Sequence, residues 1–123
     1  MSKFVYYNNN PYGLKEEDCV CRAITLASGC FTYHEVQKKL KLIAELFNCE
    51  KLCVCCYRHL LDDVFKYHRV NCDGYTVGEF ADDNPVGIYL LRINGHITCL
   101  IDGTIYDLWD CRKEFITDAW RVE

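Results

Sequence analysis

The spacing of hydrophobic residues changes about two-thirds of the way along the chain. Up to about residue 83, apolar residues recur every three or four positions, which is typical of helices that bury one face. From residue 87 onward they form short runs rich in β-branched and aromatic residues, which are typical of strands. Helices followed by strands predict the α+β fold class.

Capping signals set the bounds of the first two predicted helices. Asp18 offers an N-cap oxygen to the first helix, and Gly29 supplies its stop. Thr32 and Glu35 form a capping box at the start of the second helix, which is expected to end near Asn48. Both helices are expected to be buried along one apolar face.

Two further helices and a loop are predicted in the same way. A third amphipathic helix covers about residues 52–66. A brief fourth helix begins at a second capping box, Thr76 with Glu79, and stops before Pro85. The segment 8–13 combines Asn, Pro and Gly and is expected to form a loop that leads into the first helix.

Three β-rich runs in the last third of the chain are separated by two-residue turn signals. Asn94-Gly95 and Asp102-Gly103 favour tight hairpins, because both turn residues accept positive φ. The sequence therefore predicts a three-stranded antiparallel meander, with a further strand near residues 118–122. The three runs cover residues 87–93, 96–101 and 104–109.

The turn length also predicts the register of the second hairpin. A two-residue turn pairs Ile101 with Thr104 and, further along, Thr98 with Asp107. Because side chains alternate along a strand, His96 shares a face with Asp107 and lies diagonal to it, at roughly 7–8 Å between Cα atoms. Asp107 is therefore predicted to orient the imidazole of His96 from the adjacent strand.

Cys19 is the best-placed partner for that imidazole. It is predicted at the first position of a helix, where backbone amides and a paired imidazolium can lower a thiol pKa from about 8.5 to ~3.5–7.5. The Cys19 backbone N–H and a side-chain amide from Asn8 or Asn10 are the candidate oxyanion donors. Cys21 is the second candidate nucleophile, and we interpret it as structural. Together these groups fill the roles of an acyl-transfer site.

Composition fits one globular domain spanning residues 1–123. A mass of 14.4 kDa lies in the range of a single compact domain. The 14 Lys and Arg residues are outnumbered by 18 Asp and Glu, for a net charge of −4, which does not favour nucleic-acid binding. No apolar run approaches the ~20 residues of a membrane span. We expect a cytoplasmic protein that binds neither nucleic acid nor membrane.

Ten cysteines are many for 123 residues. Because the first residues lack a long apolar leader, we expect a cytosolic protein whose thiols are mostly reduced and packed as small hydrophobes. Cys49, Cys53, Cys56 and His59 have a spacing similar to a zinc knuckle. The same positions fall on the apolar stripe of the predicted third helix, and one helix face seldom wraps a tetrahedral ion. Helix packing is the preferred interpretation, and no metal or other cofactor is expected.

The order of the candidate residues resembles a known family. Cysteine, then histidine on a strand, then aspartate on the next strand is the order of papain-like cysteine peptidases, and Asp107-Leu108-Trp109 resembles the Asn-x-Trp that follows their catalytic histidine. More closely, nearly the whole chain resembles small phage and bacterial proteins of papain-like type. The shared motifs are Tyr7-Asn8-x-Asn10-Pro11, Asp18-Cys19-Val20-x-Arg22-Ala23-Ile24, Tyr75-Thr76-Val77-x-x-Phe80, Gly95-His96 and Ile101-Asp102-Gly103-x-x-Tyr106-Asp107-x-Trp109.

The resemblance implies a papain-like α+β fold in which the nucleophile helix packs on a C-terminal antiparallel sheet. It also implies a thiol hydrolase that uses Cys19, His96 and Asp107 without a cofactor and acts on a host or phage protein or peptide. Peptide hydrolysis, isopeptide hydrolysis and acyl transfer need the same triad, so all three stay open. A different class also stays open: a catalytically silent binding protein that inhibits a host or defence protein by occlusion.

Overall fold

Four α-helices and six strands make up most of residues 2–13, 18–49 and 53–122, the part of the chain that the computed structural model describes. The helices are α1 Cys19–Ser28, α2 Tyr33–Phe47, α3 Val54–Arg58 and α4 Val77–Asp83. A π-helical segment, His59–Val64, continues α3 directly. The strands are β1 Lys3–Tyr6, β2 His68–Arg69, β3 Ile88–Ile93, β4 His96–Ile101, β5 Thr104–Asp107 and β6 Asp118–Arg121. Among these residues, no helix combines the length and apolarity that crossing a membrane requires.

The six strands form one mixed sheet in the order β1-β5-β4-β3-β6-β2. β1 runs parallel to β5, and every other neighbouring pair is antiparallel. The predicted meander is β3-β4-β5, and the predicted further strand is β6. The sequence does not predict β1 and β2, because both are short edge strands with mostly exposed side chains. The α+β class is confirmed.

The predicted register of the second hairpin is confirmed along the paired length of β4 and β5. Ile101 lies opposite Thr104, and Cys99 lies opposite Tyr106. Asp102 and Gly103 form the two-residue turn, both with positive φ, at 47° and 79°. The turn chemistry therefore fixes which residues of the two strands face each other.

The predicted end signals of α1, α2 and α4 are confirmed, except for the role of Asp18. Both capping boxes form, at Thr32 and at Thr76, while Gly29 and Asn48 end α1 and α2 in the left-handed region. Asp18 stands at the N-cap position of α1, but its side chain makes no capping hydrogen bond. The carboxylate instead accepts hydrogen bonds from the side chains of Arg22, Asn10 and Tyr33.

The prediction of one regular third helix is wrong. It covered residues 52–66, of which residue 52 lies outside the described residues, and the structure has α3 followed by the π-helical segment. In the wider turns the Phe65 N–H donates to the carbonyl of Leu60, five residues earlier, at 2.8 Å. Leu60 and Leu61 are both fully buried. A search for a 3.6-residue period does not detect the extra residue that a π turn holds.

Both faces of the sheet are covered. One core joins α1, α2 and α3 to one sheet face, and a second core joins α4 and residues 111–116 to the other. The predicted apolar stripe of α1 is buried against the sheet, with Ile24 fully excluded from solvent. Burial of a side chain of this size contributes about 1.5–3 kcal/mol. This packing holds the N-terminus of α1 beside the start of β4.

Candidate active site

Cys19 is the first residue of α1 and is only partly exposed. Its thiol lies beside the imidazole of His96 and the backbone of Ile97, and the three groups line the same groove. These two residues begin β4, on which α1 packs. The structure thus brings together the predicted nucleophile and the predicted base, although 77 positions separate them in the sequence.

Asp107, at the end of β5, holds the other side of the imidazole. His96 Nε2 lies 2.6 Å from Asp107 Oδ2, and Asp107 is only 2% exposed. The second carboxylate oxygen accepts from the backbone N–H of Leu108 at 2.7 Å and from Arg22 Nη1 at 3.2 Å. Because Nε2 is engaged by Asp107, Nδ1 is the ring nitrogen left to exchange a proton with Cys19.

The electrostatics of the site favour a thiolate beside an imidazolium. Burial raises the pKa of the Cys19 thiol, but hydrogen bonds from His96 and a backbone N–H, with the charges of His96 and Arg22, bring it below its usual value. Burial lowers the pKa of His96, but the hydrogen bonds and charges of Asp107 and Cys19 raise it to about 9. Burial raises the pKa of Asp107 as well, and the His96 hydrogen bond holds it below its usual range. A thiolate at neutral pH is the reactive form of cysteine.

Arg22 is a residue of the site that the sequence analysis missed. Its Nε donates to Asp18 Oδ1 at 2.6 Å and its Nη1 to Asp107 Oδ1, and all three side chains are at most 8% exposed. Asp18 Oδ2 accepts from Asn10 Nδ2 at 2.9 Å and from the Tyr33 hydroxyl at 2.8 Å. The spacing of Asp18 and Arg22, four residues apart at a helix start, was the available signal. Arg22 thus links Asp18, at the N-terminus of α1, to the Asp107 carboxylate that orients His96.

The loop before α1 contains both predicted oxyanion donors, and hydrogen bonds hold each of them in place. Asn10, a predicted oxyanion donor, is buried and its amide Nδ2 supports Asp18. Asn8, the other predicted donor, accepts from the Asn10 backbone N–H through Oδ1 at 3.0 Å. Asn9, which the sequence analysis did not select, borders the narrow crevice beside Cys19 and donates from Nδ2 to the Arg22 carbonyl at 3.1 Å. These bonds order the loop and support Asp18, and the oxyanion role of Asn8 or Asn10 stays a prediction.

A groove of about 290 Å³ opens beside the thiol and the imidazole. His96 and Gly95 line one side of it, and Val54 and Tyr57 of α3 line the other. Trp109 lies outside the groove lining, with its ring centroid 5.2 Å from that of His96. It is 44% exposed, so the ring that packs beside the imidazole is itself open to solvent. A carbonyl group in the groove would therefore meet both reacting residues.

The other sequence candidates lie away from this constellation. Cys21 is buried in the core on α1, as its structural interpretation predicted. Asp110, three residues after Asp107, forms an exposed ion pair with Arg112 at 2.6 Å and is not the carboxylate that contacts His96. His34 and His68 are exposed. Cys19 is therefore the thiol that the fold pairs with an imidazole.

The zinc-knuckle set proposed from spacing does not converge as a set of four. Cys56 donates its Sγ hydrogen bond to a backbone carbonyl of α2, and the His59 ring stacks on a phenylalanine and pairs with an aspartate. Cys49 and Cys53 instead gather with Cys55, which the spacing argument did not include. The four residues do not share one helix face because α3 begins at Val54, later than predicted, and Cys49 and Cys53 lie before it.

No protein-family model, curated protein or solved structure matches this chain. The geometry of the site is therefore the basis on which a function is inferred. A helix-terminal thiol, an imidazole that can take and return a proton, and a buried carboxylate that holds the imidazole can together transfer an acyl group.

Proposed function

We propose that this protein is a papain-like thiol hydrolase with Cys19 as nucleophile, His96 as general base and acid, and Asp107 as the residue that orients His96. The observation that carries the proposal is the convergence of three side chains: Cys19 and His96 line the same groove, and His96 Nε2 lies 2.6 Å from Asp107 Oδ2. The position of Cys19 at the N-terminus of α1, packed on the antiparallel strands β3 and β4, supports the papain-like interpretation.

The proposed reaction is acyl transfer through a thioester. The Cys19 thiolate attacks the substrate carbonyl carbon and forms the S–C bond, while the carbonyl electron pair moves to oxygen. His96, as imidazolium, gives its proton to the leaving amine as the C–N bond breaks. Water then attacks the thioester while His96 takes a proton from it, and the thiolate leaves. The Cys19 backbone N–H is the proposed donor to the oxyanion.

The groove supports a peptide-like substrate. Val54, Tyr57 and Ile93 give it an apolar lining beside the reacting pair, and Arg92 adds one polar group. Its volume accommodates about one or two side chains and is small for a long extended substrate. We propose a peptide or isopeptide bond in a host or phage protein as the target. An amine that replaces water as the acceptor would make the same site an acyltransferase.

A small activated ester tests this proposal without knowledge of the natural substrate. With p-nitrophenyl acetate, we expect a burst of nitrophenolate equal to one acetyl group per chain, carried on Cys19, followed by repeated turnover. His96→Ala should reduce the rate by about 10²-fold or more, because general acid–base help is typically of that size. Cys30→Ala, at an exposed cysteine remote from the groove lining, is the matched control and should leave the burst unchanged.

Peptide mass spectrometry identifies the acylated residue. Acetylation of a cysteine other than Cys19, or an undiminished burst in Cys19→Ala, contradicts the assignment of the nucleophile. Acylation of Cys19 without any turnover contradicts the hydrolase proposal and favours a protein that acts by occlusion.

A further inference from the structure

Three thiols converge at the connection between α2 and α3. The Sγ atoms of Cys49, Cys53 and Cys55 all lie within 4.8 Å of one another. Cys53 Sγ and Cys55 Sγ are 2.9 Å apart, and all three cysteines are free thiols. Soft thiolate ligands grouped in this way select ions such as Zn²⁺ and Cu⁺.

The three residues reach one point because they come from different local structures. Cys49 follows Asn48, the left-handed residue that ends α2, and its N–H donates to the Ala44 carbonyl at 3.0 Å. Cys53 is the N-cap of α3, with extended backbone at φ −78° and ψ 159°. Cys55 stands in the first turn of α3. The objection that one helix face cannot wrap an ion therefore does not apply to this set.

The distances suit a metal ion. With metal–sulfur bonds of about 2.3 Å, tetrahedral geometry separates two sulfurs by about 3.8 Å, within the 4.8 Å span of the cluster. Cys53 and Cys55 would need to separate by about 0.9 Å to reach that spacing. Cys55 is exposed, which gives an ion a route in from solvent.

We propose that Cys49, Cys53 and Cys55 form a site for a thiophilic cation such as Zn²⁺ and supply three of its ligands. Binding replaces three S–H bonds with three metal–sulfur bonds and releases three protons. Cys56 is next in the chain, but it is buried and its Sγ is hydrogen-bonded to the Leu40 carbonyl at 3.3 Å, so the site is assigned to the other three thiols of this connection.

The site has a consequence for the groove. Cys53 and Val54 line the groove that also contains Cys19 and His96. A bound ion would cross-link the end of α2 to the start of α3 and so fix this wall of the groove. The metal site is thus placed to control the shape of the groove without contributing a group to the acyl-transfer triad.

Metal titration of a Cys19→Ala protein tests the proposal independently of any hydrolase activity. Removing Cys19 excludes metal binding by the thiol–imidazole pair. In reduced, metal-free protein we expect one equivalent of Cd²⁺ to produce thiolate-to-metal charge-transfer absorption and to release about three protons. Cys49→Ser, Cys53→Ser and Cys55→Ser, each in this background, should weaken binding at least about tenfold, and Cys30→Ser should not change it.

Protection from alkylation is a second test, in which the three metal-binding cysteines are left unsubstituted. Saturating Zn²⁺ should slow iodoacetamide labelling of Cys49, Cys53 and Cys55 in the Cys19→Ala protein, and labelling of Cys30 should continue. Equal labelling of the three cysteines with and without Zn²⁺ would overturn the proposal. So would charge-transfer absorption that persists when all three are replaced by serine.

Discussion

Replacing Asp107 by Asn should lower the pKa of His96 by more than about one unit. In the folded protein this pKa is raised from 6.5 to about 9, which corresponds to about 3 kcal/mol of stabilisation of the imidazolium. Asp107 and Cys19 supply the groups that raise it, and Asp107 makes the larger contribution. Loss of the Asp107 charge should therefore remove at least half of that stabilisation, about 1.5 kcal/mol or more.

The same substitution should raise the pKa of Cys19, because a weaker imidazolium stabilises the thiolate less. At pH 6 we expect Cys19 to alkylate about tenfold more slowly in Asp107→Asn than in the unsubstituted chain. NMR titration of the His96 imidazole, with its signal identified by loss in His96→Gln, measures the first effect. The pH dependence of iodoacetamide labelling measures the second.

Asp110→Asn is the matched control. It also removes one carboxylate, three residues further along, but Asp110 is exposed and paired with Arg112. This substitution should leave the pKa of His96 within a few tenths of a unit, because solvent screens exposed charges. Equal shifts in the two variants would refute the inference that the direct contact of Asp107 with the imidazole raises the pKa of His96.

Two other predictions concern stability. Arg22→Ala should lower the free energy of unfolding by about 3–5 kcal/mol, because it leaves two buried carboxylates without their shared cation. Arg112→Ala removes the cation of an exposed pair and should lower the free energy of unfolding by about 1 kcal/mol or less in the same urea titrations. Equal losses in the two variants would contradict this account of Arg22. In Cys19→Ala, stability should fall as pH rises above 6.5, because folded His96 keeps a proton that the unfolded chain loses. In the unsubstituted chain the lowered pKa of Cys19 adds stability at high pH that is lost as pH falls, so the effects of Cys19 and His96 offset each other. Identical dependence of stability on pH in the two proteins would contradict the pairing of Cys19 with His96.

Local signals were enough to predict the elements that position the site. Thr32, Thr76 and Gly29 mark helix ends through bonds and backbone angles that span only a few residues. The Asp102-Gly103 turn fixes the register that brings Asp107 toward His96. Because these signals are short in range, a single sequence contains them.

The missed features depend on residues far apart in the chain. The Asp18 carboxylate fits the N-cap role by its position, yet Arg22 links it to Asp107, 85 positions beyond Arg22. Strand β1 exists because β5 offers it a parallel edge, which no local pattern of β1 records. The grouping of Cys55 with Cys49 depends on where α3 begins, and a periodicity search places that start too early.

The central claim is that the fold activates Cys19 through His96. Differential alkylation with peptide mass spectrometry, carried out at several pH values below 7, ranks all ten thiols directly. Burial raises the pKa of Cys53, but hydrogen bonds from neighbouring groups lower it overall, so Cys53 is the strongest competitor. We predict that Cys19 is labelled first and that His96→Ala removes its lead. Faster labelling of Cys53 or Cys21, or a lead of Cys19 that persists in His96→Ala, would contradict the claim.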